Sequence, residues 1–176
     1  MKTTVLFFLM CFGMLSCENN LKATSESNAK SSNKNYAELP CEFLSEDEIK
    51  NILLIPKEAE TTMKDKSRNY PSCFYKWESV SWEAKFMGYD TKFHPEMSIV
   101  FVDKANDEKY NKAISSYDDG VEEKGIEEKA TWSKKMNQIT ILYKGKMVHI
   151  RSKTSEDAAS NREKTLKLAK LVLKKL

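Results

Sequence analysis

Ile139-Thr140-Ile141-Leu142-Tyr143-Lys144-Gly145-Lys146-Met147-Val148-His149-Ile150 reads as a β-hairpin closed by the two-residue turn Lys144-Gly145. In that register Leu142 faces Met147, Ile141 faces Val148, Thr140 faces His149 and Ile139 faces Ile150. Side chains alternate along a strand with a period of two, so Ile139, Ile141, Val148 and Ile150 share one face, which must be buried. His149 falls on the other face, beside Thr140.

Elements on both sides of the hairpin can cover that face. Downstream, residues 155–176 read as a helix capped by Thr154 or Ser155, with Leu166, Ala169, Val172, Leu173 and Leu176 as its buried stripe. Upstream, a helix is expected from about Asn106, carrying Tyr110, Ala113, Ile114 and Tyr117 on one side and closing at Gly120; an acidic connection follows over residues 118–129. Met97-Ser98-Ile99-Val100-Phe101-Val102 is apolar on both faces and reads as an interior strand. Cys73-Phe74-Tyr75-Lys76-Trp77 is a strand with Cys73, Tyr75 and Trp77 on one face. Val80, Trp82, Ala84 and Phe86 continue with the opposite parity, which places a turn or bulge near residues 78–79. Met87, Gly88, Tyr89, Phe93 and His94 then fall in an exposed loop, whereas residues 57–72 read as a loop or irregular strand. A first helix starts with the capping box Ser45 and Glu48. Leu44 staples against Ile49, Ile52 and Leu53 extend the apolar face, and Pro56 stops the run.

The amino terminus decides location. Lys2 precedes an apolar run from Val5 to Leu15, and Ser16 stands directly before Cys17. This is the layout of a lipoprotein signal peptide: residues 1–16 are removed and the Cys17 thiol is acylated, which ties the chain to a membrane outside the cytoplasm. The apolar run is shorter than the ~20 residues a membrane-spanning helix needs. Residues 18–39 are rich in Asn, Ser and Lys and bury too little to fold, so residues 17–39 form a lipidated flexible tether and residues 40–176 one domain. Removing the signal takes one lysine and no acid from 29 basic and 26 acidic residues, leaving 28 against 26. That near balance, together with export, argues against nucleic acid as a partner. Of the four cysteines, Cys11 leaves with the signal and Cys17 carries lipid. In an oxidising compartment the remaining pair, Cys41 and Cys73, is most simply a disulfide, worth roughly 3 to 4 kcal/mol in the chain-entropy model. The competing reading is a metal or redox pair, for which there is no CxxC spacing and only His94 and His149 to complete a site.

From Cys41 onward the chain resembles a group of small bacterial lipoproteins of unknown function. The resemblance is carried by Cys41-Glu42-Phe43-Leu44-Ser45-Glu46-Asp47-Glu48 opening a helix and by Cys73-Phe74-Tyr75-Lys76-Trp77 as a strand. Gly125, Ile126, Ala130 and Trp132 in a third segment and the turn Tyr143-Lys144-Gly145 add to it; a glycine of that third segment is replaced here by Glu127 or Glu128. What the resemblance implies is an α+β fold with helices packed on an antiparallel sheet, a C-terminal helix and one structural disulfide. It implies no catalytic residues.

The residues themselves supply little chemistry for catalysis. Two histidines stand apart, no nucleophile motif is present, and the glycines are too scattered for a phosphate loop. Neither a metal nor a cofactor is expected. Lys164, Lys167, Lys170 and Lys174, with Arg162 and Lys175, form a basic stripe on the last helix, either a solvated face or a surface for anionic headgroups. The aromatic residues between Tyr70 and Phe93 divide between core and surface, and Tyr89, Phe93 and His94 are the expected binding residues because loops carry function. The expectation is a non-enzymatic, lipid-anchored binding module of the cell envelope, with an envelope protein or a small ligand as partner. The alternative is an inhibitor or immunity-type protein acting on an exported enzyme or toxin.

Overall fold

The structure, a computed structural model, describes residues 40–66, 70–126 and 129–176. Cys17, the signal segment and the tether lie outside the described residues. A single 3-10 turn, Pro40–Glu42, leads into α1 (Glu46–Leu53), then β1 (Thr62–Lys66), β2 (Ser72–Lys76), β3 (Trp82–Phe86), β4 (Tyr89–Phe93) and β5 (Glu96–Val102). There follow α2 (Asp107–Ile114), β6 (Gly120–Glu122), β7 (Lys129–Ser133), β8 (Gln138–Tyr143), β9 (Lys146–Lys153) and α3 (Ala158–Lys175). Among the described residues seven strands form one sheet in the order β1-β2-β5-β9-β8-β7-β6, with every neighbour antiparallel; β3 and β4 form a separate two-stranded ribbon. This is an α+β fold.

The β8–β9 hairpin has the register read from the sequence, from Ile139↔Ile150 to Leu142↔Met147. Its turn places Lys144 at φ 47° and Gly145 at φ 72°, the left-handed pair that matches the twist of the flanking strands. Ile139, Ile141, Val148 and Ile150 are fully buried, together with Cys73, Tyr75, Met97, Ile99 and Phe101 from the strands beyond β9. Their cover is α1, through Ile49 and Leu53, and α3, through Leu168, Ala169 and Val172. Burying nonpolar side chains of this size stabilises by about 1.5 to 3 kcal/mol each, so this face carries most of the fold.

Local chemistry fixes the helix ends. The Ser45 hydroxyl accepts from the Glu48 N–H while the Glu48 carboxylate accepts from the Ser45 N–H at 2.9 Å, a complete capping box. The same carboxylate receives Lys175 at 2.7 Å, tying the end of α3 to the start of α1. Buried Lys50 donates to the carbonyls of Lys57 and Ala59 and so closes the loop after α1. Cys41 and Cys73 are disulfide-bonded, their Cα atoms 5.0 Å apart, which joins the 3-10 turn to β2.

Several boundaries differ from the sequence reading. The helix after Asn106 ends at Ile114, and Gly120 begins β6 instead of closing it. Glycine is needed there for close approach, since a Cβ would lie 3.1 Å from Thr131 Cγ2 and 3.2 Å from Tyr117 Cβ. The cap of α3 is Asp157, whose carboxylate accepts from the Ala159 N–H, not Thr154 or Ser155. The expected loop over residues 87–94 is a turn at Met87-Gly88 followed by strand β4.

Candidate binding surfaces

The second face of the large sheet is only partly covered. Near β8, α2 lays Tyr110, Ala113 and Ile114 over Val102, Leu142 and Met147, and the Tyr110 hydroxyl meets Thr131 Oγ1 at 2.8 Å. Beyond α2 the strand registers align two rows on this face, the first more open than the second, in which Ser72 and Thr140 are buried. One runs Lys64, Phe74, Ser98, Arg151, Gln138; the other runs Lys66, Ser72, Val100, His149, Thr140. A shallow depression of about 370 Å³ lies on the first row, and a second of about 670 Å³ lies between the next row and α2, where Tyr70, Lys109 and Lys112 join it. Phe74 is 38% exposed at the centre of the first, with Lys66 Nζ 5.0 Å above its ring. Lys76 pairs with Glu78 at 2.7 Å and Arg151 with Glu96 at 2.8 Å. Among the described residues no carboxylate lies in ion-pair range of Lys64 or Lys66, so this face holds a net positive charge beside an exposed aromatic ring. Such a surface favours acidic and planar groups.

His149, in the second row, accepts from or donates to Thr140 Oγ1 at 2.8 Å through Nδ1, and Thr140 in turn meets the Tyr117 hydroxyl at 2.5 Å. Burial lowers the His149 pKa below the ordinary histidine range, so the neutral ring is favoured. The ring is thereby oriented by the Thr140 hydroxyl, which is itself bonded to Tyr117.

The β3–β4 ribbon is the second candidate. Its register pairs Trp82 with Phe93, Ala84 with Thr91 and Phe86 with Tyr89 on one face, while Glu83, Lys85, Asp90 and Lys92 occupy the other. At the base Trp82 and Phe93 stack with centroids 5.8 Å apart, and Lys153 Nζ stands 4.8 Å from the Phe93 ring. Trp82 Nε1 is buried there without a hydrogen-bond partner. At the tip Phe86, Met87 and Tyr89 are 56%, 84% and 76% exposed.

The three residues expected to bind are thus separated in role. Tyr89 projects from the tip, and Phe93 is half-buried at the base of the same face. His94 leaves the ribbon: its Nδ1 lies 2.9 Å from the Val80 carbonyl and its Nε2 3.6 Å from Glu78, which makes it a brace for the preceding turn. Tyr75 and Trp77 are buried, and the Trp77 indole donates to Thr61 Oγ1 at 2.8 Å. Burial, followed by the Glu46 and Asp65 carboxylates, pushes the Tyr75 hydroxyl up to about 12.

Phe74, Lys64, Lys66 and Arg151 were not singled out by sequence reasoning. A signal existed for Phe74, since the parity that buries Cys73 and Tyr75 turns it to the opposite face. For the lysines and Arg151 the signal is the strand order, which no single segment contains. The basic stripe of α3 is largely engaged: Arg162 pairs with Glu123 at 2.6 Å, Lys167 with Glu163 at 2.7 Å and Lys175 with Glu48, while Lys164 donates to Thr154 Oγ1.

Among the described residues no group of three or more His, Cys, Asp and Glu is arranged to hold a metal ion, and no helix is long and apolar enough to cross a membrane. Compared with protein-family models, curated proteins and solved structures, the chain matches none.

Proposed function

We propose that this chain is a non-catalytic binding module of the bacterial cell envelope, anchored to a membrane through acylated Cys17 and a tether, and that it holds its partner on the open face of the large sheet. The partner is an envelope protein or a small ligand that presents acidic and planar groups. The observation that supports this reading is the exposed Phe74 beside Lys64 and Lys66, two lysines with no carboxylate in ion-pair range among the described residues. An antiparallel sheet can leave one face to water, and on this one the partly exposed Phe74 ring offers an apolar contact beside two lysines.

The test places a photo-crosslinking residue at Phe74 in one variant and at Lys170, on the exposed side of α3, in another, and irradiates intact envelopes. Adducts at Phe74 alone support the open face as the site; equal adducts at both positions, or none at Phe74, overturn it. If the captured partner is an exported enzyme or toxin that loses activity on contact, the module is an inhibitor or immunity protein. Metabolic labelling with a fatty-acid analogue tests the anchor, because Cys17→Ala should abolish the label.

A further inference from the structure

We propose that the tip of the β3–β4 ribbon, Phe86-Met87-Gly88-Tyr89, dips into the headgroup region of the membrane that holds the anchor; this rests on the lipid-anchored reading above. The first observation is the turn. Met87 occupies φ 52° and Gly88 φ 87°, a pair of positions that favour Asn, Asp or Gly. Methionine is poorly suited to left-handed backbone, and at 84% exposure it gives the fold no packing in return. Phe86 and Tyr89 flank it on one face, so three large side chains meet water together at the end of a narrow ribbon. Phe86 also meets the Phe93 ring edge-on, with centroids 6.3 Å apart, whereas Met87 and Tyr89 remain the most exposed of the three.

The occupant follows from size and from the aromatic character of the tip. A stable protein partner needs about 800 Å² on each side with matched shape, more than a two-stranded tip presents. A bilayer interface needs no shape match, and it takes aromatic side chains at the headgroup level. Behind the tip the charges are mixed: Lys85 and Lys92 share the charged face of the ribbon with Glu83 and Asp90, and Lys134, Lys135 and Lys153 share the depression at its base with Asp119 and Glu156. Lys85 is paired with Asp90 at 2.7 Å and Lys135 with Asp118 at 3.2 Å. Such a collar of both signs suits a headgroup layer that itself carries both signs, and its lysine stems can lie along the interface. The depth is limited, because β3 and β4 pair only with each other and their outer backbone edges would go unsatisfied in hydrocarbon. Reach is not limiting: residues 18–39 separate Cys17 from the described domain, and a coil of that length would span about 26 Å.

The test uses the mature, acylated full chain reconstituted in vesicles of phosphatidylethanolamine and phosphatidylglycerol. An environment-sensitive fluorophore is attached through Met87→Cys, and in a control through Glu108→Cys on the exposed side of α2. The proposal expects a blue shift and quenching by headgroup-level spin-labelled lipid at position 87 and neither at 108, with the shift lost when Phe86→Ser and Tyr89→Ser are added. Emission at position 87 as water-like as at 108 overturns it, as does shielding that appears only when envelope proteins are added to the vesicles, which would identify a protein partner. Failure of the anchor is read separately, from the mass of the amino-terminal fragment. If acylation is absent, excess vesicles added to the unacylated chain still decide the tip, by shifting the emission at position 87 or leaving it unchanged.

Discussion

Phe74 lies between Tyr75 and Cys73, and the pleat of β2 sends it to a different fate from both. Tyr75 and Cys73 are buried under α1 and α3, whereas Phe74 faces the open side with Lys66 above it. Trp77, two residues beyond Tyr75, is completely enclosed and hydrogen-bonded to Thr61. Trp77→Ala should therefore cost on the order of 3 to 5 kcal/mol, while Phe74→Ser should change stability by no more than about 1 kcal/mol; urea titration of both variants checks the contrast. His149 gives a second expectation. Its folded pKa lies below the unfolded value of about 6.5, so as pH falls below that value the unfolded chain binds the proton first and stability drops, until the folded pKa is passed. Melting followed between about pH 7 and 5 should show this loss in the wild type and not in His149→Asn, which keeps a partner for Thr140 but does not titrate. Single residues were legible where parity alone decides burial, as for Tyr75 and Trp77. They were not legible where a neighbour elsewhere in the chain decides it, as for His94, whose ring is engaged by the Val80 carbonyl.

Among the elements, the β8–β9 hairpin was the most legible because turn chemistry and alternation point to the same register. The β3–β4 ribbon carries an equally regular alternation, Trp82-Glu83-Ala84-Lys85-Phe86 and then Tyr89-Asp90-Thr91-Lys92-Phe93; its first strand was read as such, but the second was read as a loop because Met87 hides the turn that Gly88 marks. Met87→Asn would create the Asn-Gly pair that such turns prefer, and should leave the melting temperature unchanged or raise it slightly. A marked fall would mean that Met87 packs against something and belongs to the fold. The edge strand β6 escaped detection, and β1 was read only as a loop or irregular strand, for another reason. All their described residues are exposed, so no buried face imposes a period of two on them. α2 ends at Ile114, where the Ser115 and Ser116 hydroxyls donate to the Lys112 and Ala113 carbonyls and Tyr117 beyond them meets Thr140.

At the scale of the molecule, the strand order could not be read from any segment. The pairing of β5 with β9, seven residues long, joins Glu96 to Lys153 and Val102 to Met147 across an intervening helix and three strands, and it sets both the core and the open face. The cysteine pair was legible because the export expected from the amino-terminal residues leaves few uses for two isolated thiols. Alkylation of the unreduced protein should modify neither Cys41 nor Cys73, and Cys41→Ser should lower stability by roughly 2 to 5 kcal/mol in chemical denaturation.

That bridge also governs how the domain bears mechanical load. A force applied to the chain ahead of Pro40 reaches Cys41 and crosses directly into β2 through the sulfur atoms, so α1, β1 and their connections lie outside the path of tension. The residues spanned by the bridge, a sequence separation of 32, form a slack loop that cannot be drawn out while it is oxidised. Reduction would release about 110 Å of hidden length at roughly 3.4 Å per residue. Pulling single molecules from the amino terminus should show that extra extension only in the presence of a reductant.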